Sequence, residues 1–315
     1  MTLSQTGPKP ILGQSAELTH ILRTLPMIAM SDASVMITGE TGTGKELIAL
    51  SLHQQSRRGT NELVTINCAA LPNEDVEVDL FGRCDQEGNV TFRGRLLAAE
   101  GSTVFLDEVD ALPLSVQAKV LRFLEAGECQ LQGSHRLHVA DVRILAASSA
   151  DLAAEVKQGR FRADLFYRLQ VVPVELPPLR ERKEDIPLLL KHYLREFSGS
   201  NAVVRLSREA ENCLVTYTWP GNVRELENFC QRLALLNAGQ LLQVGDLPKE
   251  IRPEQSSAQH QFTLPANGID LAGVELDLIE QALDMAAGNR SKAARLLGIS
   301  RDTLLYRMQK YNLTP

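Results

Sequence analysis

The strongest chemical signal in the sequence is one glycine-rich stretch, Gly39-Glu40-Thr41-Gly42-Thr43-Gly44-Lys45. It follows an apolar run and precedes a helical pattern, which is the setting that a phosphate-binding P-loop requires. The glycines allow backbone N–H groups to surround phosphate oxygens, and the N-terminus of the next helix favours negative charge. Lys45 is expected to reach the β- and γ-phosphates of ATP, whereas a simple glycine-rich turn would not need a lysine at this spacing.

Two acidic residues follow the apolar run at residues 103–106 and suit the same chemistry. Asp107 is expected to hold Mg²⁺, directly or through water, and Glu108 to orient and polarise the attacking water. Glu46 stands where the strict P-loop pattern has a Ser or Thr hydroxyl for Mg²⁺, so the ion must rely on another carboxylate or on water. The alternative is a strand that simply ends in two solvated acids.

Apolar runs alternate with helical stretches through this part of the chain. The runs lie at residues 33–38, 63–67, 103–106, 142–147 and 171–176. The helical stretches include residues 45–57, 114–125 and 153–168. This alternation predicts an α/β fold, in which helices flank a mostly parallel sheet on both faces.

Four segments follow from these patterns. Residues 11–180 are predicted to form the α/β nucleotide-binding subdomain. Residues 181–252 have helical periodicity without a strand pattern, which predicts an all-helical lid subdomain. Residues 253–270 are polar and aperiodic, which is typical of a flexible linker. Residues 271–315 are predicted to form an all-α domain.

The C-terminal segment has a helix-turn-helix pattern. Gly288 is expected to end the first helix, residues 291–297 to form a second, and Gly298 to make the turn. Ser300 is expected to cap the last helix, residues 301–311, by accepting hydrogen bonds from free N–H groups. Two helices joined by a turn that contains Gly are typical of DNA-binding domains. The apolar residues of the first helix are Leu276, Ile279, Leu283 and Met285.

The last helix and its flank carry side chains suited to the major groove or to phosphates. The candidate DNA contacts are Arg290, Ser300, Arg301, Thr303, Tyr306, Arg307 and Lys310. The whole chain has a net charge of −6, yet residues 290–311 hold six basic side chains and one acid, Asp302. This local charge predicts double-stranded DNA as a partner. A solvated basic helix used for dimer packing is the alternative.

Other features exclude several protein classes. No apolar run approaches the ~20 residues of a membrane helix, and residues 1–10 lack the regions of a signal peptide. We therefore expect a cytoplasmic protein without a membrane partner. The five cysteines are scattered, and no pair has the CxxC spacing, which favours reduced thiols over disulfides or zinc ligands.

Several ordered stretches resemble one family, the AAA+ domain of bacterial enhancer-binding proteins, which activate sigma-54 RNA polymerase. The resemblance covers roughly residues 11–250, and residues 288–311 resemble the Fis-type helix-turn-helix. The matching stretches lie at residues 39–46, 66–71, 80–82, 104–109, 161–169, 178–182, 184–186 and 219–226. Glu46 is also what this family has at that position.

The resemblance implies a role for four further residues. Asn67 is similar to the switch residue that restrains Glu108. Arg162 and Arg168 resemble arginine fingers that reach the γ-phosphate bound by a neighbouring subunit, and Arg224 resembles a sensor for the same nucleotide. Guanidinium groups at those oxygens accelerate phosphoryl transfer by orders of magnitude. For a lone arginine, a surface salt bridge is the more common explanation.

The resemblance also implies partners and an assembly. Fingers that act in trans require a homo-oligomer, expected to be a dimer on DNA and a hexameric ring when active. The ring would use ATP hydrolysis to remodel RNA polymerase that carries sigma-54. Residues 1–10 are expected to leave no room for a regulatory domain, so the input is expected from a separate regulatory protein, from expression level or from the linker region.

Two departures from the family pattern leave alternatives open. Ser148 and Ser149 replace the usual Thr-Asn sensor pair. Ser149 is a candidate nucleotide contact, since a Ser hydroxyl can still hydrogen-bond a phosphate or water, but it is shorter and lacks the amide, so altered coupling of hydrolysis to motion is expected. Residues 83–93 are about three residues shorter than the sigma-54 contact loop and lack the Phe and second Gly of its Gly-Ala-Phe-Thr-Gly-Ala tip. The alternative function is therefore a DNA-binding repressor or co-regulator that acts without sigma-54, with a nucleotide-sensing oligomerisation core. A DNA-repair motor or helicase loader is a third possibility, which the Fis-like end disfavours.

Overall fold

The structure is a computed structural model. It describes residues 10–70, 76–134, 136–199, 202–252, 268–311 and 313. The chain divides into two compact units at residue 253. Apart from residues 268–270, the predicted linker at residues 253–270 lies outside the described residues. Residues 1–9 also lie outside them.

The first unit contains a five-stranded parallel sheet. Its strands are β1 (Val35–Thr38), β2 (Leu63–Asn67), β3 (Thr103–Asp107), β4 (Arg143–Ser148) and β5 (Val172–Glu175). They lie in the order β2-β3-β4-β1-β5, and every neighbouring pair is parallel. The predicted sheet is therefore confirmed, with strand ends within two residues of the expected ones. The carboxyl ends of β1, β3 and β4 meet at one edge, which is where ligands bind in open α/β sheets.

Seven α-helices are described in the α/β part of this unit. They are α1 (Ala16–Ala29), α2 (Lys45–Gln54), α3 (Val76–Phe81), α4 (Arg95–Ala98), α5 (Leu114–Ala126), α6 (Leu152–Lys157) and α7 (Ala163–Leu169). Successive strand residues point to opposite faces. Val35 and Ile37 pack into a core with α1 and α2, while Met36 packs into a second core with α3, α5 and α7. Burial of both faces explains why the strands are continuous apolar runs.

The stretch at residues 153–168 was expected to be one helix, and the structure divides it into α6 and α7. Asp151 caps α6, because its Oδ1 accepts hydrogen bonds from the N–H groups of Ala153 and Ala154. Gly159 follows α6 with φ +73°, a left-handed conformation that glycine adopts at little cost. The break sets the position of α7, and Arg162 directly precedes that helix.

The lid contains α8 (Ile186–Ser198), α9 (Arg208–Thr216) and α10 (Asn222–Leu236). Trp219 is fully buried in its core and donates a hydrogen bond from Nε1 to the Leu214 carbonyl at 2.8 Å. Two short strands, Arg205–Leu206 and Leu241–Leu242, pair in parallel. The sequence did not predict them, since two residues are too few to give a periodic pattern. The described part of this unit also contains 3₁₀ turns at Val109–Ala111, Leu179–Glu181, Lys183–Asp185 and Val244–Asp246.

The second unit is a three-helix domain of α11 (Leu271–Met285), α12 (Arg290–Leu296) and α13 (Arg301–Lys310). Its core includes Ile279, Ala293 and Leu304, which are at most 2% exposed. Met285 was expected on the apolar face of α11, but its side chain is 72% exposed. Six residues separate it from Ile279, a rotation of about 240° that points it away from the core.

The cysteines in the described part of the chain form no disulfide bond. All five thiols are free, and burial raises the pKa of Cys68, Cys129 and Cys230 to about 12. Those three thiols therefore stay protonated and unreactive near neutral pH. No helix of the described residues is long and apolar enough to cross a membrane.

Candidate nucleotide-binding site and DNA-binding helix

The P-loop lies between β1 and α2, where left-handed backbone is needed. Gly39, Gly42 and Gly44 have φ values of +148°, +81° and +107°. A Cβ on Gly42 would lie only 2.3 Å from the Gly221 carbonyl oxygen of the lid. The loop is therefore shaped both by its own backbone and by close contact with the lid.

Lys45 begins α2 and is 6% exposed. Its Nζ donates hydrogen bonds to the Gly39 carbonyl at 2.8 Å, the Glu40 carbonyl at 3.4 Å and Ser149 Oγ at 2.7 Å. Burial lowers the pKa of Lys45, and the carboxylates of Glu108 and Asp107 oppose that shift. The ammonium group is thus held close to both acids at the end of β3.

Those two acids differ in backbone conformation and environment. Asp107 ends β3, and burial together with the Glu108 charge raises the pKa of its carboxyl group. Glu108 has φ 52° and ψ 52°, a left-handed conformation that costs a non-glycine residue about 1–3 kcal/mol. Such strained residues cluster at functional sites. The turn places the Glu108 carboxylate in the cleft rather than along the strand.

Two neighbouring serines at the end of β4 contact different acids: Ser148 is the last residue of the strand, and Ser149 follows it. Ser148 is fully buried and donates a hydrogen bond to Asp110 Oδ1 at 2.5 Å. Ser149 donates to Glu108 Oε1 at 2.9 Å and accepts hydrogen bonds from Lys45 Nζ and, at 3.2 Å, from Thr41 Oγ1. Ser149 therefore joins the P-loop to β3.

Asn222 of the lid and Arg180, in the 3₁₀ turn that precedes the lid helices, hold the P-loop from the other side. Asn222 is fully buried, with φ 53°, and its Nδ2 donates to Glu40 Oε2 and to the Thr41 carbonyl, both at 3.1 Å. The Arg180 guanidinium makes two hydrogen bonds to the Glu40 carboxylate, at 2.9 and 2.7 Å. Arg180 first and Asn222 second lower the pKa of Glu40. The Glu40 side chain thus binds the lid, and its predicted place in the phosphate cradle rests on its backbone.

These elements enclose a cleft of about 230 Å³. Its lining comprises Thr41, Gly42, Gly44, Lys45, Glu46, Leu47, Asp107, Glu108, Tyr193, Val223, Arg224 and Glu227. An adjoining apolar cavity is lined in part by Ile11, Leu12, Leu189, Tyr193 and Val223. Sequence reasoning identified most of the polar lining but missed Glu227, Leu47, Tyr193 and Val223. The helical spacing of the lid residues gave no sign that α8 and α10 face the P-loop.

The other residues predicted for catalysis lie elsewhere. The Arg162 guanidinium pairs with Asp164 of its own chain at 2.8 Å, and Arg168 donates to the Leu124 carbonyl at 2.9 Å. Among the described residues, neither arginine belongs to the cleft lining. Asn67 Oδ1 accepts hydrogen bonds from the N–H groups of Ala69 and Ala70. The finger and switch roles stay predictions.

The segment at residues 83–93 forms a closed β-hairpin. Arg83–Cys84 pairs antiparallel with Val90–Phe92, and Asp85 Oδ1 closes the turn by accepting from the Asn89 N–H at 2.8 Å. A second hairpin joins Glu128–Gln130 to Leu137–Val139, and the Cys84 N–H donates to the Gln132 carbonyl between its strands. The sequence predicted neither hairpin. The first stands where the family resemblance places the sigma-54 contact loop.

The candidate DNA contacts divide into exposed and internally bound side chains. Ser300 caps α13 as predicted, since its Oγ accepts from the Thr303 N–H at 3.1 Å. Arg301, Tyr306 and Lys310 are exposed along this helix, whereas Arg290, Thr303 and Arg307 are partly buried. Arg307 forms an ion pair with Glu275 of α11, and that carboxylate also accepts from Tyr311. Arg307 thus helps to hold α13 against α11.

A parallel sheet with a P-loop at its edge, a helical lid over the loop and a separate helix-turn-helix unit define an AAA+ transcription regulator. Family models match in the same order: the sigma-54 interaction domain at residues 11–175, the AAA+ ATPase lid domain at residues 180–263 and the Fis family of bacterial regulatory proteins at residues 271–311. The chain belongs to the family of sigma-54 enhancer-binding regulators, which are ATP-dependent and bind DNA.

Curated relatives and a solved structure agree with this assignment. Regulatory protein AtoC of Escherichia coli strain K12 is 42% identical over 314 residues, which cover 97% of this chain and 68% of AtoC. The DNA-binding transcriptional regulator NtrC of Azospirillum brasilense is 40% identical, over 94% of this chain and 68% of NtrC. The crystal structure of NtrX from Brucella abortus in complex with ATP is similar with a TM-score of 0.72 at 32% identity, over 97% of this chain and 69% of NtrX.

Proposed function

We propose that this chain binds ATP with Mg²⁺ in the cleft between its sheet and lid, and hydrolyses it to ADP and phosphate. The observation that carries the proposal is that Lys45, Asp107, Glu108 and Arg224 line one cleft. The adjoining apolar cavity suits the flat base of a nucleotide. The similar NtrX structure contains ATP in its crystal, which supports the same ligand class here.

Each polar residue of the cleft has a distinct part in this chemistry. The backbone of residues 39–45 and the Lys45 ammonium bind phosphate oxygens. Asp107, with Glu46 beside it in the lining, offers the carboxylate oxygens that Mg²⁺ prefers, and the ion supplies positive charge to the phosphates when bound. Glu108 orients the attacking water and withdraws its proton, while Arg224 contacts the phosphates from the lid.

Replacing Lys45 with Ala tests the nucleotide site directly. We expect the affinity for ADP to fall by about 10- to 100-fold, because charge-assisted hydrogen bonds to phosphate are lost. Calorimetric titration of the purified chain with ADP measures the change. Lys157→Ala, which removes an exposed ammonium group on α6, is the matched control and should bind as the wild type does. Equal affinity in both variants would remove the support for this site.

The same proposal includes an oligomeric ring. Arg162 and Arg168 are absent from the cleft lining of their own subunit as described, which agrees with action on a neighbour. A head-to-tail interface of this kind closes into a ring when its rotation allows. The proposed partners are RNA polymerase, a separate regulatory protein and further copies of this chain.

We propose that α13 binds double-stranded DNA. Arg301→Ala should weaken binding by about tenfold and reduce the dependence of log Kd on log salt by about one, since one phosphate contact is lost. Fluorescence anisotropy with a labelled target duplex at several salt concentrations measures both quantities. Arg205→Ala removes the same charge from the exposed surface of the lid and serves as the control. Wild-type affinity and salt slope in Arg301→Ala would exclude this contact.

A second candidate function is regulation without sigma-54. The hairpin at residues 83–92 favours it, because this hairpin stands in place of the sigma-54 contact loop and lacks the Phe and second Gly of that loop's tip. Asp85 closes its turn with hydrogen bonds to the N–H groups of Glu87 and Asn89. The exposed apolar side chains near this turn are Val90 and Phe92, at 49% and 46%. Transcription in vitro with purified polymerase, with and without sigma-54, distinguishes the two functions. Stimulation of transcription only with sigma-54 supports regulation through sigma-54, and an effect on transcription without sigma-54 supports the alternative.

A further inference from the structure

Ser149 occupies a position that the proposed chemistry does not use. Its hydroxyl is within hydrogen-bond distance of the P-loop lysine and of the base that would activate water. A hydroxyl group has one proton to donate and two lone pairs that accept. Ser149 donates its proton to Glu108, and it accepts from Lys45 and Thr41. Its hydrogen-bonding capacity is therefore complete without any ligand.

Lys45 is saturated in the same way. An ammonium group has three protons. Its three hydrogen bonds go to the carbonyls of Gly39 and Glu40 and to Ser149. Because phosphate oxygens need donors from the same group, a bound nucleotide must displace at least one of these bonds. The bond to Ser149 is the one that links Lys45 to the catalytic carboxylate.

We propose that Lys45, Ser149 and Glu108 form a resting lock, in which Ser149 is a positioning residue that holds the Glu108 carboxylate until phosphate draws Lys45 away. This inference rests on the proposed ATPase function and adds a regulatory element to it. The lock stabilises the nucleotide-free state alone, so it opposes nucleotide binding. The lock is a restraint on Glu108 separate from the switch role predicted for Asn67.

The position of the hydroxyl makes the proposal specific to Ser149. The neighbouring Ser148 hydroxyl is bound to Asp110 at 2.5 Å, and the Ala150 N–H also donates to it. Its hydroxyl is therefore bound to Asp110 rather than to Lys45 or Glu108. Ser149 is partly exposed, and after its hydroxyl is removed Lys45 keeps its hydrogen bonds to the Gly39 and Glu40 carbonyls.

The test compares Ser149→Ala with Ser149→Thr, which keeps the hydroxyl, and with Ser115→Ala, which removes an exposed hydroxyl on α5. Calorimetry with ADP should give a Kd about three- to tenfold lower for Ser149→Ala than for the wild type, because the competing resting state is lost. The KM for ATP should fall in the same direction, with kcat within about twofold. Ser149→Thr and Ser115→Ala should match the wild type.

Unchanged or weaker ADP binding by Ser149→Ala would overturn the lock, and weaker binding with a lower kcat would assign Ser149 to the bound nucleotide instead. A lower Kd in Ser149→Thr as well would show that the hydroxyl is not responsible, which also contradicts the proposal. Failure of the wild-type chain to bind ADP would overturn the proposed function itself, and the lock with it. Thermal unfolding of each variant confirms that the comparison is made between folded proteins.

Discussion

Replacing Glu108 with Gln is expected to lower kcat for ATP hydrolysis by about 10²- to 10⁴-fold, the usual contribution of a general base. Gln has the same shape, and its Oε1 can still accept the hydrogen bond that Glu108 receives from Ser149. The hydrogen bonds of Lys45 do not involve the Glu108 carboxylate, although the Glu108 charge opposes the lowering of the Lys45 pKa. The affinity for ATP should therefore stay within a few-fold of the wild type. The measurements are steady-state phosphate release and equilibrium binding of ATP.

Glu209→Gln, which neutralises an exposed acid on α9, is the matched control and should hydrolyse ATP at the wild-type rate. Turnover by Glu108→Gln within a factor of two of the wild type would contradict the assignment of Glu108 as the base. Loss of ATP binding together with turnover would instead indicate that the variant damages the cleft. The two outcomes separate because binding and hydrolysis are measured on the same preparation.

Local patterns predicted the sheet and the P-loop because their determinants are close in sequence. Residues 35–37 are apolar, the glycines follow after Thr38, and Lys45 begins α2. Asp107 ends a buried strand, and Glu108 follows it directly. Position along the chain thus places both motifs at the same edge of a parallel sheet.

Contacts between distant residues could not be predicted in this way. Asn222 reaches the Thr41 carbonyl across 181 residues, and Ser149 reaches Lys45 across 104. Arg143 is 2% exposed within β4, where its guanidinium donates to the Ile28 and Ala29 carbonyls at the end of α1. A charged residue in an apolar run gives no indication of which helix end it will cap. Such pairings depend on packing, which local periodicity does not encode.

The helical break at residues 158–162 shows the same limit at short range. The apolar spacing across residues 153–168 suits one helix, and Gly159 alone is tolerated inside many helices at a cost of about 1 kcal/mol. The structure ends α6 there, and Gln117 Oε1 of α5 accepts a hydrogen bond from the Arg162 N–H at 2.9 Å. A tertiary contact therefore fixes where α7 starts and where both predicted fingers lie.

The predicted fingers give the second large effect. Arg162→Ala and Arg168→Ala should each lower kcat by about 10³-fold or more, because a guanidinium at the γ-phosphate stabilises the charge of the transition state. Neither residue lines the cleft of its own subunit in the described structure, so binding of ATP to each variant should persist. Arg160→Ala is the control, since its guanidinium is bound to Glu155 on α6. It should retain most of the wild-type turnover.

Mixing two inactive variants tests whether the fingers act between subunits. Arg162→Ala keeps an intact Glu108, and Glu108→Gln keeps intact fingers. In a ring assembled from equal amounts of both, about one interface in four joins a complete active site to a complete finger. ATP hydrolysis should therefore return to roughly a quarter of the wild-type rate. An inactive mixture, with co-assembly verified by differently tagged subunits, would contradict trans action, because complementary interfaces would be present without turnover.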